Sequence, residues 1–161
     1  MPADNPPAPE TALGLVAEAL RLERAERNAS ALAAYDRALA LDPDCEPAWM
    51  RKAMLLEELD RDHEAVIVYA ELLHRHPHNT AALSNQAGLL LRLGRPDAAL
   101  ESLDLALAAD PGNLLFVLNK GLLLLQGLDR PADALPLLER AAKAGIPEAH
   151  EPLAWCKEAL A

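Results

Sequence analysis

The sequence predicts an all-α protein built from a repeated pair of helices, and two observations lead to this fold class. Of its 161 residues, 52% are hydrophobic but only 3% are aromatic, and the apolar content is mainly leucine and alanine. Both residue types favour helices, whereas the β-branched residues typical of strands are scarce. Prolines recur at a constant interval, at Pro43, Pro77 and Pro111, which predicts a helical repeat.

Other residue types recur at the same interval and justify the two helices of each repeat in turn. One column of large residues predicts the core-facing side of the first helix: Leu15, Trp49, Leu83 and Val117. Two columns of small residues allow antiparallel helices to cross closely: Ala19, Ala53, Ala87 and Gly121, then Ala31, Ala65 and Ala99. The proline ends the second helix, because it lacks an amide donor and biases the preceding residue away from helix.

These columns make the chain resemble the tetratricopeptide repeat (TPR) family. The clearest copy of the family's pattern is repeat two, with Trp49, Ala53, Leu56, Ala65, Tyr69 and Pro77. The resemblance covers residues 12–161 and implies a right-handed superhelical TPR solenoid of antiparallel helix pairs, with about nine helices. The organisation expected is a Pro-rich disordered tail (1–11), four repeats (12–45, 46–79, 80–113 and 114–147) and a capping helix (148–161).

Repeat four departs from the pattern by one residue. After Gly121 the next small residue is Ala134, one position later than the interval predicts. We expect a one-residue insertion in the turn from Gly127 to Arg130.

A column of long polar side chains precedes the first small residue of each repeat. It holds Glu18, Lys52, Gln86 and Lys120. We expect their methylene groups to pack between helices while their polar ends reach water, with Glu18 and Lys52 forming an ion pair.

Composition and motifs argue against several classes of function. The formal charge of −10 disfavours nucleic acid as a partner. No phosphate-binding glycine loop, nucleophile elbow or zinc-protease motif occurs, so the prediction is a non-enzymatic protein without cofactor. The first ten residues carry acid and prolines instead of a signal peptide, and no apolar run is long enough for a membrane, so the expected location is cytoplasmic.

A cluster of histidines near the end of repeat two leaves one alternative open. His74, His76 and His78 alternate around Arg75 and Pro77, and imidazoles in this arrangement could converge on a metal ion. Basic residues are also favoured at a helix C-terminus by the helix dipole, without any metal. A metal-binding accessory role through these histidines is therefore an alternative, and no metal site is the main prediction.

The resemblance implies that function lies on a concave surface lined by the first helices. The family's inner positions fall here on Val16, Ala17, Leu20, Met50, Arg51, Met54, Ser84, Asn85, Gly88, Leu118, Asn119 and Leu122, with Trp155 on the capping helix. Arg51, Asn85 and Asn119 form a polar row able to bond a peptide main chain, while the methionines and leucines accept apolar side chains. The matching positions offer no lysine, unlike the family members that clamp a C-terminal carboxylate.

The predicted function is accordingly an adaptor or scaffold that binds a peptide or helical segment of a partner protein. The acidic chain favours a partner that is partly apolar and neutral to basic. An alternative is a structural protein that self-associates through its apolar inner surface or end helices, so the expected state is a monomer or a weak homo-oligomer. A further option is that the tail, Met1 to Pro9, folds into its own groove or acts only as a linker.

Overall fold

A computed structural model describes residues 10–161, and this part of the chain consists of helices joined by short turns, without strands. Most of the tail predicted over 1–11 lies outside the described residues. The α-helices are α1 (Ala12–Arg24), α2 (Asn28–Leu41), α3 (Glu46–Glu58), α4 (Asp62–Arg75), α5 (Thr80–Arg92), α6 (Pro96–Ala109), α7 (Leu114–Leu122), α8 (Pro131–Lys143) and α9 (His150–Ala159). A π-helical turn (Leu123–Gly127) extends α7, and a 3-10 turn (Pro147–Ala149) precedes α9. Within residues 10–161, no helix has the length and apolar character needed to cross a membrane.

The first helices α1, α3, α5 and α7 begin at equal intervals along the chain, and side-chain caps fix three of these starts. Thr11 accepts a hydrogen bond from the Gly14 amide (3.0 Å), and Asn79 accepts one from the Ala82 amide (2.8 Å). Asn113 does the same for α7. These oxygens satisfy amide donors that have no partner within the first turn of a helix.

The turn from each first helix to its second helix contains one residue in the left-handed region. The residues are Glu26, Asp60, Gly94 and Asp129, with φ between 50° and 69°. Such a residue reverses the chain direction after the last helical turn. The first three follow the repeat interval and the fourth comes one position late, so the extra residue of repeat four lies before Asp129.

The extra residue is absorbed in the helix, and the prediction of an insertion in the turn from Gly127 to Arg130 was wrong. In repeat three, Arg95 donates its amide to the carbonyl of Leu90, five residues back, at 2.9 Å. In repeat four, Arg130 reaches back six residues, to Leu124, at 2.8 Å. The π-helical turn accommodates the added residue while keeping the backbone amides bonded, which a longer turn would not do.

The chain divides into two compact units, one ending at Arg75 (unit 1) and one from His76 to Ala161 (unit 2). Unit 1 holds α1 to α4, and its core includes the fully buried Ala19, Ala31 and Tyr35. Unit 2 holds α5 to α9. Part of its core forms where Gly121 of α7 faces Leu138 of α8, and Ala134, Ala141 and Cys156 are also fully buried there.

The long polar side chains that precede the first small residue of each repeat contact side chains on second helices. The predicted ion pair between Glu18 and Lys52 was therefore wrong. Lys52 Nζ lies 2.6 Å from Asp36 of α2, and Lys120 Nζ lies 2.5 Å from Asp104 of α6. Gln86 accepts a hydrogen bond from Ser102 of α6 at 3.0 Å. Glu18 lies 3.8 Å from Arg37 of α2. Each of these side chains thus links a first helix to a second helix.

Candidate functional site

The residues predicted for unit 1 lie on α1 and α3, but they are not equally accessible. Leu20, Met50, Arg51 and Met54 are half-buried. Val16 is only 7% exposed, because it belongs to the hydrophobic cluster that joins α1, α2 and α3. The prediction that Val16 offers a binding surface is therefore corrected: it is a core residue.

Arg51 of α3 takes part in a network of polar contacts with Glu23 of α1 and Tyr35 of α2. The buried Tyr35 hydroxyl donates to a carboxylate oxygen of Glu23, and Arg51 Nη2 lies 3.6 Å from the other oxygen. Burial, followed by the hydrogen bond to Glu23, raises the pKa of Tyr35 well above its usual range. The hydroxyl is therefore kept as a donor, and Arg51 is held by an ion pair.

The same tyrosine–glutamate contact recurs in the second repeat, where the Tyr69 hydroxyl donates to Glu57 at 2.7 Å. The matching positions of repeat three are Leu91 and Leu103. A 12-residue spacing of glutamate and tyrosine, which recurs from repeat one to repeat two, was the sequence signal for these contacts. Leucines take both positions in repeat three, so this polar contact does not occur there.

Unit 2 contains an open pocket of about 260 Å³ between α5 and α7, with Leu103 of α6 at its base. Its lining residues are Ser84, Ala87, Gly88, Leu91, Leu103, Asn119, Leu122, Leu123 and Gln126. Four of them, Ser84, Gly88, Asn119 and Leu122, were predicted from the sequence. Sequence reasoning missed the other five. Leu103 comes from the second helix α6, and Leu123 and Gln126 come from the π-helical turn. The last two, Ala87 and Leu91, lie on α5 but outside the family's inner positions.

The remaining predicted residues of unit 2 lie outside this lining. Leu118 is 5% exposed, packed in the core with Leu124 and Leu138, so its prediction as a binding residue is corrected like that of Val16. Asn85 is half-buried on α5 and has an interaction partner within the protein. Trp155 is 48% exposed on α9.

The polar groups at the rim of the pocket are available for bonding. Within residues 10–161, the side chains of Ser84, Asn119 and Gln126 make no hydrogen bond to the protein. Each can both donate and accept, which suits the alternating donors and acceptors of a peptide main chain.

Charge distinguishes the first helices of the two units. In unit 1, α1 contains four charged residues and α3 contains five. In unit 2, α5 contains only Arg92 and α7 only Lys120, whose ammonium group is paired with Asp104. The pocket therefore lies on helices that are nearly uncharged.

A second cavity, of about 280 Å³, lies in unit 1 beside α2 and α4, with Leu32, Ile67 and Val68 in its lining. Its rim carries the Lys52–Asp36 pair, and Arg61 lies 2.6 Å from Glu64. Both positive groups there are already paired with carboxylates, and the cavity is not on the predicted face.

The metal-binding alternative concerns the arrangement of His74, His76 and His78. Among the described residues, no group of three or more histidine, cysteine, aspartate or glutamate side chains could hold a metal ion. His74, His76 and His78 are therefore not part of such a group. Both cysteines are buried thiols, and the Cys156 thiol donates to the Pro131 carbonyl at 2.8 Å.

The family to which these helix pairs belong follows from comparison with known proteins. A model of the tetratricopeptide repeat family matches residues 16–75 and 63–113, which is more than half of the chain. The chain belongs to the tetratricopeptide repeat family. The predicted fold class, an all-α TPR protein, is thereby confirmed. No curated protein matches its sequence.

Solved structures with the same fold include proteins of quite different description. The crystal structure of MamA is 15% identical, with a TM-score of 0.82 over 93% of this chain and 82% of that one. A TPR protein from Parabacteroides merdae is 18% identical, with a TM-score of 0.79 over 97% of this chain and 61% of that one. PilW, a type IV pilus biogenesis factor, is 27% identical, with a TM-score of 0.71 over 94% of this chain and 70% of that one. TPR proteins bind protein partners, so the fold is that of an interaction scaffold.

Proposed function

We propose that this TPR protein is a non-enzymatic adaptor that binds a peptide or helical segment of a partner protein on its first-helix faces. In unit 1 the first-helix face consists of Leu20, Met50, Arg51 and Met54. In unit 2 it consists of Ser84, Asn85, Gly88, Asn119 and Leu122. The observation that carries the proposal is the open pocket of unit 2, which brings predicted residues of α5 and α7 around one apolar hollow.

The chemistry of these faces supports a polypeptide ligand. Leucine and methionine side chains offer adaptable apolar contacts, while the amide and hydroxyl groups offer both donors and acceptors. An extended segment presents the same combination, with apolar side chains and a polar main chain. The net charge of −10 favours a segment that is neutral to basic, because opposite charges accelerate encounter. The similarity to PilW, described as a pilus biogenesis factor, supports a scaffold role.

The experiment is a selection of peptides from a random displayed library against the full chain, followed by NMR mapping of the bound peptide. We expect amide shifts to concentrate on α1, α3, α5 and α7. We expect the variant Asn119→Ala to bind several-fold more weakly, since the lost hydrogen bond costs about 0.5–1.5 kcal/mol. Leu105→Ala is the matched control, because Leu105 is 58% exposed on the second helix α6. Peptides that bind only the second helices, or that bind both variants equally, contradict the proposal.

A second candidate function is self-association through the last helix. Trp155 and Leu160, at α9 and its C-terminal end, are 48% and 46% exposed, and exposed large apolar residues often mark contacts. Light scattering at tens of micromolar tests this candidate. A stable dimer that dissociates in Trp155→Ala favours it, whereas a monomer excludes it at that concentration.

The cytoplasmic location remains a prediction. Cell fractionation with antibody detection of the native protein checks it, and recovery in an envelope fraction would contradict it.

A further inference from the structure

Gly88 occupies a helical position where no contact among residues 10–161 requires a glycine. It lies inside α5, is exposed, and a Cβ atom built on it would meet no atom within 4 Å. Glycine is among the poorest helix formers, so an alanine at this position would favour the helix more. Gly121, in contrast, is required by packing, because a Cβ atom there would lie 2.9 Å from Leu138 Cδ2.

Gly88 leaves space beside the backbone of α5 that no side chain of the described residues fills. Glycine permits another backbone to approach a helix closely. Gly88 borders the unit 2 pocket, so an approaching main chain would pass directly over its mouth.

The lining of the pocket selects for one kind of side chain. Its walls and base are leucines, at Leu91, Leu103, Leu122 and Leu123. None of the nine lining residues is charged, so a charged guest would lose its hydration without gaining a counter-charge. The volume of about 260 Å³ is below the range of about 300–1,000 Å³ typical of small-molecule sites, which favours a single side chain.

The π-helical turn is part of this construction. Leu123 and Gln126, two of the lining residues, belong to the turn that absorbs the extra residue of repeat four. Turns of this kind occur frequently at functional sites, because the added residue re-aims the side chains around it.

We propose that the unit 2 pocket is a specificity pocket for one uncharged aliphatic side chain, of the leucine, isoleucine or methionine class. The partner main chain passes over Gly88, and its amide groups bond with Asn119 and Ser84 at the rim. This inference rests on the proposed function, and it names the class of residue that the bound segment must contain.

The first test uses a probe that needs no natural partner. N-acetyl-leucine N-methylamide is titrated into the full chain, and the methyl NMR signals of Leu91, Leu122 and Leu123 are followed. We expect saturable shifts in the millimolar range with the leucine probe and none with the lysine or aspartate analogues. Equal shifts with the charged analogues, or no shifts with the leucine probe, overturn the proposal.

The second test blocks the pocket. Gly88→Leu adds a leucine side chain at the edge of the pocket, where its Cβ atom would have no contact within 4 Å apart from its chain neighbours and its own helix backbone. Ala108→Leu is the matched control, since it adds the same side chain to an exposed position on the second helix α6. We expect Gly88→Leu to weaken binding of a library-selected peptide by roughly tenfold to a hundredfold, as for loss of one buried leucine, and Ala108→Leu to leave it unchanged. Thermal unfolding of Gly88→Leu at or above the wild-type temperature confirms that the variant folds.

The two proposals fail in different ways. If selected peptides bind the first-helix faces but tolerate lysine or aspartate at every position, the specificity pocket is overturned and the adaptor function stands. The same conclusion follows if Gly88→Leu binds them as tightly as the wild type. If no peptide binds while the leucine probe still fills the pocket, the adaptor function fails.

Discussion

The first small-residue column holds alanine in three repeats and glycine in the fourth, and the difference of one methyl group reflects how closely the helices pack. Alanines at positions 19, 53 and 87 are buried between the two helices of their repeats, where a methyl group fits. The fourth member of the column is Gly121, where Leu138 of α8 approaches so closely that even a methyl group would clash. The size of the residue in this column therefore matches the space between the two helices of each repeat.

Two glycine-to-alanine substitutions should change stability in opposite directions. Gly121→Ala forces the fully buried Leu138 to shift, and overpacking of about 1–3 kcal/mol exceeds the ~1 kcal/mol gained in helix propensity. We expect a net loss of about 1 kcal/mol in the free energy of unfolding. Gly88→Ala meets no neighbour and should gain about 0.5–1 kcal/mol. Urea unfolding of both variants checks the signs, and a destabilised Gly88→Ala would show an unrecognised packing role.

The contact between Tyr35 and Glu23 makes the stability of the protein sensitive to alkali. The pKa of Tyr35 is raised in the folded state, so above about pH 10 the unfolded chain releases a proton that the folded chain retains. The contribution of Tyr35 is complete below that pH, and the free energy of unfolding then falls by up to about 1.4 kcal/mol per pH unit.

Tyr35→Phe should reduce this alkaline slope. At neutral pH the variant should lose about 2 kcal/mol, because a hydrogen bond to a carboxylate disappears. Urea unfolding of both proteins at pH 8 measures the loss of stability caused by the substitution. Unfolding at pH 10 and 11, compared with pH 8 for the same protein, measures the alkaline slope. Identical slopes for the variant and the wild type would show that Tyr35 is not the group responsible.

At the scale of the element, the π-helical turn of repeat four shows how a helix absorbs an added residue. The Leu128 amide donates to the Leu123 carbonyl, five residues back, where a regular helix would bond four residues back. The turn keeps the backbone bonded and shifts α8 by one residue along the chain. It also provides two side chains to the pocket.

Deletion of Gln126 should restore a regular helix without unfolding the protein. The deletion returns repeat four to the spacing of the other repeats, so the core positions stay in register. Backbone chemical shifts over 122–127 and thermal unfolding measure the outcome, and we expect a melting temperature within a few degrees of the wild type.

The matched control is deletion of Arg92, the corresponding position of repeat three. Repeat three contains no extra residue. Deletion of Arg92 therefore turns the following residues by about 100° around the helix axis and misplaces the core residues of α6. Equal destabilisation by both deletions would contradict the assignment of the extra residue to the π-helical turn.

At the scale of the whole molecule, net charge and local charge have separate roles. The chain carries −10 overall, whereas the lining of the unit 2 pocket carries no charged residue. In the proposed function, long-range attraction would act on the flanks of a bound segment, whereas the pocket would select its buried residue.

Lysine residues flanking a selected peptide should accelerate its association. At low salt, stopped-flow rates should be roughly tenfold higher for a peptide with lysine flanks than for the same peptide with glutamate flanks. The difference should largely disappear at about 0.5 M salt, since the screening length shortens to a few ångströms. An association rate that is independent of salt would contradict electrostatic steering of the peptide.

The repeat itself was predictable because its signals are local or periodic. Pro43 and Pro111 each lie two residues after a helix, and each lacks the amide donor that a further helical turn would need. A side chain that recurs at 3.6-residue spacing defines the buried face of a helix in the same way. Helix order, repeat length and the face that carries Ser84 and Asn119 follow from these rules.

The rest depended on neighbours that are distant in sequence. Val16 and Leu118 occupy positions assigned to the surface by the pattern, yet helices packed around them bury both. Lys52 pairs with Asp36 of the preceding helix, because α2 brings that carboxylate closer than α1 brings Glu18. The sequence by itself determined the helices and their repeat, since backbone bonding and periodicity act within a few residues. Only the tertiary structure decided burial, ion pairing and the pocket, since these depend on which side chains of separate helices meet.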